Sequence, residues 1–316
     1  MLSRAASNLH WLARYMERAE NLARLIQVTQ RMAAMAPGEN RVGPGSEWHS
    51  ALVAAGCEQG FYAKHQSADA KTVIDYLVRD PDNPSSIMRC IDVARHNARA
   101  VRISLSADMW DSVNETWIEA RALTDDDFAP RRIGDVLDWV KQRSLQFNGS
   151  YTVTMLRRDG FFFTRLGTFI ERADNTARLL DVKYHVLLPS VDSVGGALDY
   201  YHWTAILRAV SATRAYHVLY AGRVQPWNVA ELLILHPEMP RSLMSCMAAI
   251  NENLSALAAA YGGATGECHR LAGHMHAELK FGRVEAVFQT GLHEYLTAFI
   301  ERNIVLGEEI SRFYLM

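Results

Sequence analysis

Tyr15-Met16-Glu17-Arg18-Ala19-Glu20-Asn21-Leu22-Ala23-Arg24-Leu25-Ile26 returns 154 positions later as Phe169-Ile170-Glu171-Arg172-Ala173-Asp174-Asn175-Thr176-Ala177-Arg178-Leu179-Leu180, with seven of the twelve positions identical. A second echo, residues 80–90 against residues 236–246, falls at a spacing of 156 and includes Pro81 with Pro237, Pro84 with Pro240 and Cys90 with Cys246. A near-constant offset over most of a half-chain reads as tandem duplication. The expected units are 1–158 and 159–316, each presenting one Glu-Arg motif.

Outward from the motif, the periodicity is helical. Apolar residues recur at three and four positions through Leu9, Leu12, Met16, Ala19, Leu22, Ala23 and Ile26, which predicts a helix over 9–35 closed by Pro37-Gly38. The same signals predict helices over 47–56, 69–78, 85–105 (capped by Ser85-Ser86), 108–122 and 131–158. In the second unit they predict 161–188, a helix from Trp203, 228–235, a long helix broken by Gly262-Gly263, and then 267–281 and 284–315. Residues 38–45 and 192–198 read as loops, the latter the link between the first two helices of its unit. The expected fold is therefore all-α, a tandem-duplicated bundle of about ten to twelve helices with a pseudo-twofold internal repeat, as one bundle or two.

Composition narrows the function classes. The 316 residues are 49% hydrophobic and 22% charged, as in globular proteins. The net charge of −2 gives no general attraction to nucleic acid. No uncharged apolar stretch approaches eighteen residues, so no membrane span is expected. Four cysteines at wide spacings form neither a disulfide framework nor a zinc motif, and the expected compartment is the reducing cytoplasm. Only five basic residues are lysine, the rest arginine, whose guanidinium suits bidentate pairing with carboxylate or phosphate.

On a helix, Glu17, Asn21 and Arg24 share one face, with Arg14 a turn earlier and Arg18 rotated by about 100°. The second copy repeats Glu171, Arg172, Asn175 and Arg178, with Thr168 where the first has Arg14. Two readings follow. In one, the residues pair across the pseudo-twofold axis, Glu17 with Arg172 or Arg178 and Glu171 with Arg18 or Arg24, fixing helix register. In the other, Arg18, Asn21, Arg24, Arg172, Asn175 and Arg178 bind a carboxylate or phosphate while Glu17 or Glu171 serves as general base. Arg241, at a helix start, is a further anion-binding candidate.

The paired Glu-Arg helices, with residues 93–102, 106–110 and 236–242, resemble those of the alpha-E family, bacterial all-helical proteins named for the motif. The resemblance runs along essentially the whole chain, although His96 stands where members commonly carry glutamate. It implies a cytoplasmic helical protein without an established activity. Family genes stand beside, or fuse to, circularly permuted ATP-grasp carboxylate–amine ligases, with transglutaminase-like and proteasome-like peptidases nearby. The resemblance therefore implies an accessory or binding role with such a ligase in making or modifying a peptide or amide-linked metabolite. An enzyme acting on an amide or peptide through the motif residues, or a purely structural oligomeric scaffold, stays open beside it.

Other clusters are weaker. Cys268, His269, His274, His276 and Glu278 use different helix faces, so no metal site is expected. Cys90 and Cys246 read as small core residues, and Thr124-Asp125-Asp126-Asp127 as a solvated capping loop. Tyr200-Tyr201-His202-Trp203 reads as core or interface, with a cleft lining as the alternative. Gly-rich phosphate loops and dinucleotide fingerprints are absent, and no cofactor is expected.

Overall fold

A computed structural model describes residues 3–35, 46–185 and 196–316. The chain forms α1 (Ser3–Ala33), α2 (Glu47–Ala54), α3 (Glu58–Tyr62), α4 (Ala70–Val78), α5 (Ile87–Ala100), α6 (Ala107–Ala122), α7 (Ile133–Thr154) and α8 (Asp159–His185). It continues with α9 (Ala197–Ala209), α10 (Thr213–Leu219), α11 (Pro226–Ala230), α12 (Leu243–Ala260), α13 (Glu267–Phe281), α14 (Val284–Thr290) and α15 (Leu292–Phe313). No strand occurs among the described residues. The fold is all-α.

The fifteen α-helices among the described residues exceed the number expected from periodicity because several are short or interrupted. α3 and α10, of five and seven residues, carry too few turns to register as periodic stretches. The expected helix over 284–315 divides at Gly291, whose φ of +98° no residue with a Cβ adopts easily. The expected helix over 228–235 is α11 followed by a π-helical turn, Glu231–Leu235. α5 stops at Ala100 and a 3₁₀ turn carries the chain to Ser104. The loop expected over 38–45, and the link over 192–198 except its last three residues, lie outside the described residues.

Local chemistry places most of the ends. Asp69 caps α4 by accepting from the Lys71 and Thr72 N–H groups, and Ser106 and Ser242 cap α6 and α12 through Met109 and Ser245. Ser86 behaves differently from its expected capping role: its hydroxyl donates to the Asp80 carbonyl, leaving α5 without a side-chain cap. Nor do the acids at 125–127 cap α7. Asp127 accepts from Thr124, Asp126 pairs with Arg132, and Asp125 pairs with Arg79.

α1 and α8 pack against each other at the centre. Around them the partners run in parallel: α1 against α5, α7 and α9, and α8 against α12, α15 and α2. α6 joins α5 to α7, and α13 joins α12 to α15. One apolar core, including Leu22, Ile26, Leu52, Leu137, Leu166, Leu180, Ile206 and Leu257, draws on both halves of the chain. The central approach depends on Gly167. A Cβ there would overlap the His10 carbonyl oxygen and lie 2.9 Å from its carbon. Ala13, the corresponding position on α1, is buried and also small.

Candidate functional site

The crossing of α1 and α8 aligns the two motifs. Arg172 donates from Nε to Glu17 Oε1 and from Nη2 to Glu17 Oε2, both at 2.9 Å. Reciprocally, Arg18 donates to the two oxygens of Glu171 at 2.6 and 3.1 Å. Both glutamate side chains are nearly inaccessible, at 1% and 3%, while Arg172 and Arg18 keep 14% and 24% of theirs. Each guanidinium also lies over a motif aromatic ring, Arg172 over Phe169 and Arg18 over Tyr15.

A third charge reaches each glutamate, from different places. Arg14 donates to Glu171 at 2.8 Å from one turn back on α1. Glu17 receives Arg241 at 3.1 Å, from the residue before the Ser242 cap of α12. Arg241 thus turns inward to Glu17 and Glu20. Thr176 holds it in place by donating to its backbone carbonyl. Ser85, the matching residue of the other half, has no charge to offer.

Arg24 and Arg178 do not meet the motif glutamates as expected. Each pairs one turn back along its own helix, Arg24 with Glu20 and Arg178 with Asp174. Four-residue spacing on a helix makes that the nearest carboxylate. Their remaining nitrogens cross to the other half, Arg24 to the Ala209 carbonyl at the end of α9 and Arg178 to the Ala54 carbonyl at the end of α2. Helix C-termini carry unsatisfied carbonyls and partial negative charge, so a guanidinium suits both ends. Asn21 and Asn175 are buried in the same interface, with Asn21 Oδ1 and Asn175 Nδ2 lacking partners.

Glu20, Asp174 and Ser144 belong to the site although the sequence reading passed over them. Glu20 is fully buried and takes Arg24, Arg241 and the Ser144 hydroxyl. The available signal was an acid at the same motif position in both copies, four residues before an arginine in each.

Burial alone would raise the carboxyl pKa values, but the guanidinia outweigh it. Arg172 and Arg241 hold Glu17 at about 2, and Arg18 and Arg14 hold Glu171 at about 2. Asp174 moves the other way: burial raises it, and Arg178 only partly opposes this. His10, buried beside the network, is pushed down to about 3, chiefly by burial and then by Arg14. Cys90 and Cys246 are buried, and burial pushes their thiols up to about 12.

The remaining sequence candidates lie elsewhere. His96 is exposed on α5. His274 pairs with Glu278 at 3.2 Å, and Cys268 meets His269 at 3.3 Å. Among the described residues no three His, Cys, Asp or Glu side chains converge on a metal-sized space. No helix among them is long and apolar enough to cross a membrane. Cavities of about 480 and 460 Å³ sit beside Trp48 and Trp203, away from the motif residues.

A family model described as "A predicted alpha-helical domain with a conserved ER motif" matches residues 1–315. The Glu-Arg pairs at 17–18 and 171–172 are in keeping with that description. The chain is also 25% identical over 300 residues to the uncharacterized proteins Mb2597 of Mycobacterium bovis and Rv2567 of Mycobacterium tuberculosis. The match covers 88% of this chain but 32% of each relative, so the chain spans about a third of their length. No solved structure matches it.

Proposed function

The chain belongs to the Alpha-E family, and from that premise we propose a helical accessory protein for an ATP-grasp-type carboxylate–amine ligase. It would bind the ligase, its substrate or its product during synthesis or modification of a peptide or amide-linked metabolite. The gene association implied by the family resemblance supports this reading. So does the size of the mycobacterial relatives, in which a chain of this kind is one part of something about three times longer. Transglutaminase-like or proteasome-like peptidases are the further partners that the same association implies.

The observation that carries an accessory rather than a catalytic role is the state of Glu17 and Glu171. A general base works best with a pKa near the operating pH and an open path to substrate. Here each carboxylate accepts from two arginines, is nearly inaccessible and is held at about 2. We therefore read both motifs as the clasp that sets the relative position of the two halves, with partner recognition on the outer surface.

The test is co-purification with an ATP-grasp-type ligase from the same organism, followed by ligation assays with and without this chain. The reading expects a stable complex and a loss of ligation when the chain is omitted. Full ligation without it, and no complex, would overturn the reading.

A further inference from the structure

Three of the most exposed apolar side chains, Ile103 at 100%, Val153 at 80% and Leu156 at 73%, lie where α5 passes to α6 and α7 passes to α8. One hydrogen bond ties these two turns together. The Ser106 and Thr154 hydroxyls meet at 2.6 Å, three residues after Ile103 and one after Val153. Beneath them Val101, Leu105, Tyr151 and Phe161 pack in one small apolar core, with Met155 against it. Buried anchors thus alternate with exposed tips, so both turns are held while Ile103, Val153 and Leu156 stay in water. Clustered apolar side chains left in water mark an interaction surface rather than a contribution to the fold.

The charge of the same end says what would cover it. Arg99 in the last turn of α5, Arg102 in the 3₁₀ turn, and Arg157 and Arg158 directly after Leu156 are all exposed. Arg102 lies over the Trp110 ring, and among the described residues none of the four forms an ion pair. Surface arginines elsewhere are met by acids: Arg79 by Asp75, Arg89 by Asp92, Arg132 by Asp126, Arg270 by Glu267 and Arg312 by Glu309. Asp159, next in the chain, already accepts from Gly160 and Tyr261. The exposed acids of the adjoining turns of α6, Asp108 and Asp111, number half as many as the arginines. This end is therefore locally positive although the whole chain carries −2.

We propose that this end of the bundle lies on an anionic phospholipid surface. Ile103, Val153 and Leu156 enter the boundary between headgroups and acyl chains, and Arg99, Arg102, Arg157 and Arg158 meet the lipid phosphates. Guanidinium suits that task because it pairs with phosphate bidentately and keeps its charge. Ile103, fully exposed on a turn, is placed as a wedge rather than as one wall of a groove, which favours a bilayer over a partner helix. The contact is peripheral and reversible. It stands apart from the ligase reading.

The test is co-sedimentation of the intact chain with vesicles of phosphatidylcholine containing about one third phosphatidylglycerol, against vesicles of phosphatidylcholine alone. The chain should bind the anionic vesicles, spare the neutral ones, and come off as salt rises from about 0.1 to about 0.5 M. Each arginine is worth about fivefold in affinity, so Arg157→Gln with Arg158→Gln should weaken binding about 25-fold. Ile103→Ser should weaken it about tenfold. All three positions are exposed, so the melting temperature should not change. Arg214→Gln, at an exposed arginine on α10, should leave binding intact. No binding to anionic vesicles, equal binding to neutral ones, or the same loss from Arg214→Gln would each overturn the proposal. So would a lipid-free dimer that Ile103→Ser dissociates, which would assign the face to a second copy of the chain.

Discussion

Arg172 grips Glu17 with two nitrogens at 2.9 Å, and across the same helix crossing Arg18 grips Glu171 in the reciprocal arrangement. Neither pair is local: 155 and 153 residues separate the partners. Four charges that would each be costly to bury alone are compatible with the interior only when α1 and α8 dock in one register. The pairs thus specify position, whatever their net contribution to stability.

The docking depends on Gly167. Gly167→Ala would drive a Cβ into the His10 backbone, which cannot swing aside as a flexible side chain could. The expected cost is about 3 kcal/mol or more, the upper end for overpacking. Gly149→Ala serves as the control: the position is exposed on α7 with nothing within 4 Å, and a helix interior gains about 0.5–1 kcal/mol from that change. Urea denaturation of the two variants checks both signs.

Acid should unfold the protein in two overlapping stages. His10 titrates at about 3 when folded and near 6.5 when exposed, so the unfolded chain binds the extra proton; its contribution is complete above 6.5 and declines towards 3. His202, held at about 4, acts in the same direction. Glu17 and Glu171 fall from about 4.5 to about 2 on folding, so the stability they contribute is present above 4.5 and is lost as pH drops towards 2. The melting temperature should therefore begin to fall below about pH 6.5 and fall more steeply below about 4.5. His10→Phe should make the upper stage shallower, with the share of His202 remaining, and leave the loss below about pH 3 unchanged.

The cysteines should be inert in the folded chain. Cys90, Cys246 and Cys57 have thiols pushed up to about 12, and Cys268 to about 11, all chiefly by burial. Nucleophilic thiols require the thiolate. Iodoacetamide at pH 8 should label essentially none of them natively and all four in denaturant. Rapid native labelling of Cys90 or Cys246 would show that the core beside the motif arginines opens.

Much of this architecture was legible from the motif outward. A strong 3.6-residue period placed α6 and α13 within a residue of their observed limits and the start of α8 within two, whereas α1 begins at Ser3, six residues before the expected Leu9. The cross-pairs of Glu17 with Arg172 and Glu171 with Arg18 were among the pairings that symmetry allowed. The ends of the arginine rows were not. Arg24 and Arg178 had a local acid and a distant helix end to satisfy, and the positions of those ends depend on tertiary packing. Arg241 was noticed for its place before a helix, but its inward turn follows from Glu17 and Glu20 lying opposite it. The break at Gly291 was missed because an isolated glycine inside an apolar period leaves that period intact.

The most direct measurement is a double-mutant cycle on Glu17 and Arg172, read by chemical denaturation. Glu17→Gln and Arg172→Met should each lose about 3–5 kcal/mol, because each strands a buried partner. The double variant should lose little more than either single one, giving a coupling of roughly 2 kcal/mol or more. Additive losses, or single variants as stable as the parent, would contradict the clasp and return the motif to the list of candidate ligand-binding or catalytic groups.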